Sequence, residues 1–189
     1  MMHHIDLGVV LRETVACNLY SNLVTRPTGA AVRGQIERML GDIEDRSLTV
    51  IDLTHVSMID FSCADEVIAK LVLRYCEDDP PHDAYFLFRG ITDDHWDAIE
   101  AVIERHGLAL VLEEAGAVRL VGAVAQDERR VWEAVCLAGP TGSSTIAGLL
   151  GRALSSDEVD GILDRLCRRR LVVKFGDEYA AVGGGQHRE

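Results

Sequence analysis

Long apolar runs and the usual marks of an exported chain are missing from this sequence of 189 residues. No apolar run approaches the roughly 18 residues that a membrane-spanning helix needs. The N-terminus, "MMHHIDLGVV", has neither the basic region nor the long apolar stretch of a secretory signal. These absences predict a cytoplasmic protein that does not cross a membrane.

Paired cysteines and metal-ligand spacings are also missing. The five cysteines are odd in number and widely spaced, and none forms a C-x-x-C pair. This usage predicts free thiols in a reducing compartment, not a disulfide framework. The seven histidines show no ligand spacing either, so we expect neither a metal nor another cofactor.

Catalytic and nucleotide-binding motifs are also absent from the sequence. The sequence contains no G-x-G-x-x-G, H-E-x-x-H or G-x-S-x-G. "GPTGSST" (139–145) lacks the lysine of a phosphate-binding loop, and a turn between helices explains it better. Cys63 could be a nucleophile at a helix start, but nearby carboxylates oppose a thiolate, and a buried small residue is the alternative. We therefore predict that the protein is not an enzyme.

Basic residues are scarce in the first two thirds of the chain. The net charge is −12, and 48% of the residues are hydrophobic, which is enough for a core. Residues 1–125 hold 21 acidic and 10 basic residues, whereas residues 126–189 hold 10 and 9. Most of the acidic part should repel nucleic acid and anionic membranes.

Along residues 1–125, segments with the hydrophobic pattern of strands alternate with segments of helical spacing. Continuous apolar runs predict strands at 7–14, 48–53, 84–91, 108–114 and 117–124. Helical spacing predicts helices at 25–43, 62–75 and 92–107. Such alternation is typical of an α/β domain with a mixed, partly parallel sheet.

The pattern changes after a polar break at "QDERR" (126–130). Residues 126–183 read as three helices followed by a hairpin, with Ser155 and Glu158 spaced as a capping box. This order resembles a small winged helix-turn-helix (α+β) domain. The tail, 184–189, is predicted to be flexible.

The segment "VIDLTHVSMIDFSCADEVIAKL" (Val50–Leu71) joins a covered strand to a helix. Ser62 and Asp65 have the spacing of a helix-capping box, and Glu66 adds a second acid to the first turn. Capping alone could account for these three residues. The alternative is a functional site at the helix start.

This segment resembles the centre of STAS domains, the family of anti-sigma-factor antagonists and transporter tails. Together with "LVTRPTGAAVRGQIE" (23–37), the segment "FSCADEVIAKL" is similar to a bacterial STAS-like domain of unknown function. The resemblance covers about residues 1–124. It implies partner switching: binding of a histidine-kinase-like ATPase or an anti-sigma factor, ended by phosphorylation at the helix start.

The resemblance implies site residues, and one position departs from the pattern. Phe61 stands where the antagonists carry their phosphoacceptor, so Ser62, its neighbour, is the candidate phosphoacceptor. Asp60, Asp65 and Glu66 would repel a phosphate there. We expect Asp60, Ser62, Asp65 and Glu66 to form an outward-facing surface that binds a partner.

Two further groups of residues are candidates for binding. Arg26, Thr28 and Gly29 lie at a helix start, where they could hold an anion; pairing of Arg26 with local carboxylates is the alternative. In the winged-helix module, the candidate nucleic-acid contacts are Arg165, Arg168, Arg169 and Lys174. Acidic residues at the start of its third helix argue against DNA, and favour protein contacts such as a homodimer.

The sequence therefore predicts a non-enzymatic regulatory protein that binds a protein partner through its STAS-like domain. The alternative is a winged-helix transcription regulator whose STAS-like domain senses a signal. The sequence leaves the partner, the stimulus and the domain arrangement open.

Overall fold

The computed structural model describes residues 2–17, 19–43, 46–151 and 153–184, and the elements below lie within these ranges. The chain divides into two compact units, Met1–Ala123 and Val124–Glu189. The domain boundary predicted from the sequence falls between residues 125 and 126. The predicted flexible tail lies, except for Gly184, outside the described residues.

The first unit alternates strands and helices along the chain. Its elements are β1 (Met2–Asp6), α1 (Leu7–Val15), β2 (Asn22–Leu23), α2 (Arg26–Gly41), β3 (Ser47–Asp52), β4 (Met58–Ile59), α3 (Phe61–Ala64), a π-helical segment (Asp65–Ala69), α4 (Lys70–Tyr75), β5 (Ala84–Arg89), α5 (Asp93–Arg105), β6 (Ala109–Glu114) and β7 (Ala117–Gly122).

Five of these strands form one sheet in the order β1-β3-β5-β6-β7. The pairs β1–β3, β3–β5 and β5–β6 are parallel, and the hairpin β6–β7 is antiparallel. The predicted α/β class with a mixed sheet is thereby confirmed. Helix residues such as Ile36, Val67 and Ile99 share one buried core with Phe86 and Phe88 of the sheet, and this core fixes the helices in place.

The strand predicted at Leu7–Thr14 is wrong, because this segment is helix α1. The Asp6 carboxylate accepts a hydrogen bond from the Val9 N–H at 3.1 Å and so caps the helix. Leu7, Val10 and Leu11 follow helical spacing and are buried. The first strand is β1, which precedes the helix and pairs with β3 from Met2↔Leu48 to Asp6↔Asp52.

A separate pair of short strands places two helix starts side by side. β2 and β4 are parallel, with Asn22 opposite Met58 and Leu23 opposite Ile59. Helix α2 begins three residues after β2, and α3 begins two residues after β4. Because the strands run in the same direction, both helices start at the same edge of the unit.

The second unit is built from three helices and a small antiparallel sheet. Its elements are α6 (Gln126–Ala138), β8 (Thr141–Gly142), α7 (Ser143–Leu150), α8 (Ser156–Arg168), β9 (Val172–Phe175) and β10 (Glu178–Ala181), and the sheet order is β8-β10-β9.

The helices and the hairpin predicted for this unit are present, and so is the predicted capping box of α8. The Ser155 N–H donates to Glu158 Oε2 at 2.8 Å, and the Glu158 N–H donates to Ser155 Oγ at 3.3 Å. Strand β8, which has only two residues, was not predicted. None of the helices in the described ranges is long and apolar enough to cross a membrane.

Candidate functional site

The starts of α2 and α3 meet at one edge of the first unit. Cys63 donates its thiol to the Thr25 carbonyl at 3.0 Å, and the Asp60 N–H donates to the Leu23 carbonyl at 2.8 Å. Helices α2 and α3 approach closely because Gly29 has no side chain. A Cβ atom there would lie 3.1 Å from the Cys63 Cα.

Asp60, not Ser62, caps helix α3. The Asp60 carboxylate accepts a hydrogen bond from the Cys63 N–H at 2.8 Å and another from the Ser62 hydroxyl at 2.9 Å. The predicted cap at Ser62 is wrong because the helix begins at Phe61, which places the capping residue two positions earlier, at Asp60. Two of the four partner-binding candidates, Asp60 and Ser62, are half-buried.

The expectation that Asp65 and Glu66 face outward is wrong. Only 6% of Asp65 and 3% of Glu66 is exposed. Both lie in the π-helical segment, a rare helical form that is frequent at functional sites. Because Asp65 and Glu66 lie beside α2, their carboxylates face the arginines of that helix. Neither carboxylate is therefore available to a partner.

Side chains from α2, from α4 and from the residue after α5 bond to these two carboxylates. Arg26 Nη1 donates to Asp65 at 2.9 Å and to Glu66 at 2.7 Å. His106 Nε2 lies 2.7 Å from the other Asp65 oxygen, and Arg33 Nη2 lies 3.4 Å from Glu66. Lys70 also pairs with Glu66. The cluster ties α2 and the residue after α5 to the π-helical segment.

The two carboxyl groups are ionised despite their burial. Burial raises the pKa of Asp65, but hydrogen bonds from His106 and Arg26 outweigh it and lower the pKa below the ordinary value. Burial likewise raises the pKa of Glu66, and hydrogen bonds from Lys70 and Arg26 outweigh it. The same contacts with Asp65 and Glu66 raise the pKa of Arg26.

Arg26, Thr28 and Gly29 do not converge on one anion site. Arg26 is held by Asp65 and Glu66, so the alternative of pairing with local carboxylates is confirmed. The Thr28 hydroxyl lies 2.8 Å from the Thr25 hydroxyl, which caps α2. Gly29 is buried against Cys63. The three residues therefore complete a helix start and an ion-pair cluster.

The outward side of this edge carries cations and apolar groups. We define the tip surface as Arg26, Met58, Phe61, Ser62, Arg105 and His106. The Arg26 side chain is 47% exposed, and Met58 and Phe61 are 53% and 37% exposed. The Arg105 guanidinium lies 5.6 Å from the centre of the Phe61 ring, within cation–π range.

Sequence reasoning missed four members of the tip surface: Met58, Phe61, Arg105 and His106. The sequence singles out Phe61 only as the residue at the phosphoacceptor position. Asp60 directly before it, a favoured capping residue, was the available signal for a helix that starts at Phe61. The roles of Arg105 and His106 depend on contacts more than 40 positions away, which spacing does not show.

Cys63 is a structural thiol in this arrangement. It is fully buried, and its thiol donates to the Thr25 carbonyl. Burial and the negative charge of Asp60 raise its pKa to about 11. A thiol of this kind is not an activated nucleophile.

A second ion-pair cluster lies at the carboxyl ends of the parallel strands, and the sequence did not predict it. Asp52 Oδ2 lies 2.9 Å from both Arg89 Nε and His4 Nε2. Burial raises the pKa of Asp52, whereas hydrogen bonds from Thr54, Arg89 and His4 lower it strongly. The cluster ties the ends of β3 and β5 to the middle of β1.

A cavity of about 710 Å³ adjoins the buried carboxylates. It is lined by three cationic side chains, Arg33, Lys70 and Arg74, and also by Glu77 and Asp79. Each cation is already paired: Arg33 and Arg74 with Glu37, and Lys70 with Glu66. These pairs leave little positive charge for an anionic ligand.

In the second unit, the candidate nucleic-acid contacts have structural partners. Arg165 and Arg169 both pair with the buried Glu128, at 3.2 and 2.9 Å. The other two also have local contacts: Arg168 donates to the Asp164 carbonyl at 3.4 Å, and the Lys174 ammonium lies 5.2 Å from the centre of the Tyr179 ring.

No group of three or more potential ligands suited to a metal ion occurs within the part of the chain that the structure describes. Compared with known protein-family models and with curated proteins, the sequence matches none. The STAS and winged-helix resemblances therefore stay predictions.

Proposed function

We propose that this chain is a non-enzymatic regulatory protein that binds a protein partner through the tip surface of its first unit. The observation that carries the proposal is the exposure of Phe61 and Met58 at a helix start. Ion pairs beneath this helix start hold it in place. Exposed apolar side chains on a preorganised surface are the usual anchors of protein interfaces. The buried ion pairs of Arg26 with Asp65 and Glu66 supply this rigidity.

The resemblance to STAS domains supports the class of partner. It rests on the segments 23–37 and 61–71, which form the start of α2 and the helix that follows β4. On this basis the partner is a histidine-kinase-like ATPase or an anti-sigma factor, and the mode of action is partner switching. Ser62 is the hydroxyl residue of the tip surface, next to the capping carboxylate of Asp60.

A non-enzymatic role is supported by the chemistry of the groups at this edge. The Cys63 thiol is buried with a raised pKa, and Asp60 is occupied as a helix cap. Asp65 and Glu66 are held as anions by hydrogen bonds from Arg26, Arg33, Lys70 and His106. These groups stabilise the helix starts.

Capture from an extract of the source cell tests the proposal. The full chain is immobilised, and proteins retained by wild type are compared with those retained by Phe61→Ser. Leu137→Ser is the matched control, because Leu137 is an exposed apolar residue in the second unit. We expect a captured partner to be lost with Phe61→Ser and kept with Leu137→Ser.

Binding of the purified partner to wild type and to Phe61→Ser then measures how much the substitution lowers the affinity. Truncation of a central apolar anchor should weaken binding by about tenfold or more. Equal capture and equal affinity for wild type and Phe61→Ser would show that the tip surface is not the interface.

A second candidate function is DNA binding by the second unit. The order α6-β8-α7-α8-β9-β10, with a three-stranded antiparallel sheet, is the order of a winged helix and favours this candidate. The charges oppose it, since the first turn of α8 contains Asp157 and Glu158 and two arginines are paired with Glu128. We therefore favour a protein-contact role for this unit, such as dimerisation.

A further inference from the structure

We infer that the segment bound by the tip surface is acidic and carries an apolar side chain. This inference rests on the proposed function and specifies the chemistry of the partner. It replaces the expectation from sequence that Asp65 and Glu66 face outward and contact the partner themselves.

The charges at the tip surface are layered. Asp65 and Glu66 lie underneath and are buried, whereas the Arg26 guanidinium and the His106 imidazole lie above them, with side chains 47% and 27% exposed. A partner that approaches from solvent therefore meets the Arg26 guanidinium before the carboxylates. The protein has 31 acidic and 19 basic residues, so a cationic outer layer is unusual on it.

Two nitrogens of the Arg26 guanidinium remain available as hydrogen-bond donors. The bonds to Asp65 and Glu66 both come from Nη1. Among the residues that the structure describes, no partner is assigned to Arg26 Nη2 or Nε. These two groups form one edge of the guanidinium fork, and that edge binds a carboxylate through two parallel hydrogen bonds.

Arg105 is a second available cation at the same place. It is exposed, and its guanidinium contacts the Phe61 ring. Within the described ranges it has no carboxylate partner. An acidic side chain of a partner could thus pair with Arg105 while an apolar side chain packs on Phe61 and Met58.

A basic segment would be disfavoured at this surface. Its cations would approach Arg105, which has no carboxylate partner within the described ranges, and like charges across an interface are costly. The buried carboxylates could not compensate, because their oxygens are already bonded to Arg26, Arg33, Lys70 and His106. Charge complementarity therefore selects an acidic occupant.

Selection from a library of short random peptides tests the inference. The full chain is the bait, and peptides that also bind the Phe61→Ser variant are removed. We expect the enriched peptides to combine Asp or Glu with a Leu, Ile, Phe or Met. One enriched peptide is then synthesised, and its binding is measured by fluorescence anisotropy.

The matched variants are Arg105→Glu and Arg38→Glu. Both residues are exposed arginines of the first unit, and Arg38 lies on α2 with a bond only to the Gly34 carbonyl. Arg105→Glu should weaken binding of the acidic peptide by at least about tenfold, and Arg38→Glu should change the affinity less than about twofold. Raising the salt from about 50 to about 300 mM should also weaken binding. Circular dichroism checks that both variants fold.

The outcomes separate this inference from the proposed function. Enrichment of uncharged or basic peptides would overturn the acidic chemistry while leaving the tip surface as the binding site. Equal effects of Arg105→Glu and Arg38→Glu would overturn it in the same way. If wild type enriches no peptide beyond Phe61→Ser, the tip surface does not bind peptides, and both proposals fall.

Discussion

At the scale of single residues, Asp65 and Glu66 determine what the tip surface presents to solvent. An exposed acid and a buried acid have the same formal charge, yet they attract different partners. Burial beneath Arg26 and His106 makes these carboxylates structural, and it makes the Arg26 guanidinium the accessible charged group above them. The stability of the first unit should depend on keeping both carboxylates ionised.

Acid should therefore destabilise the first unit. The pKa values of Asp65 and Glu66 are lowered in the folded protein from ordinary values of 3.8 and 4.5. As the pH falls, the unfolded chain binds protons first, so the stabilisation present above about pH 5 is lost as the pH falls through the folded pKa values. Urea unfolding between about pH 6 and about pH 2 measures this loss.

The contribution of this pair is isolated by the double variant Asp65→Asn, Glu66→Gln. Its free energy of unfolding should be lower near neutral pH and should fall less steeply with acid than that of wild type. The control, Asp97→Asn with Glu100→Gln, changes two exposed acids of α5 and should keep the wild-type slope. The same slope in all three proteins would contradict a stabilising role for the buried pair.

Cys63 gives a second prediction at this scale. Its raised pKa, about 11, and its burial leave little reactive thiolate near neutral pH. At about pH 8, iodoacetamide should modify Cys63 at least about 100-fold more slowly than the exposed Cys17. Mass spectrometry of peptides at timed intervals gives both rates. Comparable rates would revive Cys63 as a candidate nucleophile.

At the scale of elements, the tip surface depends on the close packing of α2 against the helix that begins at Phe61. Gly29 and Gly34 both lie within α2 and provide a matched comparison. A Cβ at Gly29 would lie 3.1 Å from both Cys63 Cα and Glu66 Cβ, whereas a Cβ at Gly34 would meet nothing within 4 Å. The same substitution should thus have different effects at the two positions.

Gly29→Val should lower the free energy of unfolding by about 2 kcal/mol, because the added carbons force the two helices apart. Gly34→Val should stay within about 0.5 kcal/mol of wild type, since the helix propensities of Gly and Val differ little. Urea unfolding of both variants measures the difference. Equal effects would mean that the helices do not need the close approach at Gly29.

The sequence predicted elements well where one periodicity was clear, as in β3, β5, α2 and α5. It failed at α1, where the segment 7–14 was predicted as a strand although Asp6 caps a helix, and it missed β1. It also missed β2, β4 and β8, which have only two residues each. Strands this short carry no period, and their existence depends on the partner strand.

The candidate site was predicted in position but not in orientation. The sequence located a helix start near Ser62 with acids in its first turn. Whether those acids face solvent depends on Arg26, which is 39 positions from Asp65, and on His106, 41 positions away. Such distant contacts leave no periodic signal in the sequence, so the burial of the pair could not be read from it.

At the scale of the whole molecule, the distribution of charge favours protein binding over DNA binding. The net charge is −12, and residues 1–125 contribute −11 of it. DNA binding depends on cations that neutralise phosphates. Two of the four candidate cations of the second unit, Arg165 and Arg169, are already paired with Glu128, which leaves the unit poorly equipped for phosphate contacts.

We therefore expect the full chain to show no saturable binding to duplex DNA at about 150 mM salt and protein concentrations up to about 10 µM. Fluorescence anisotropy with a labelled duplex, repeated from about 50 mM to about 300 mM salt, makes the measurement. Weak binding confined to the lowest salt would agree with this expectation. Tight binding that falls steeply with salt would instead support the winged-helix regulator. In that case Arg168→Ala with Lys174→Ala should reduce the salt dependence, because each lost phosphate contact lowers the slope by about one.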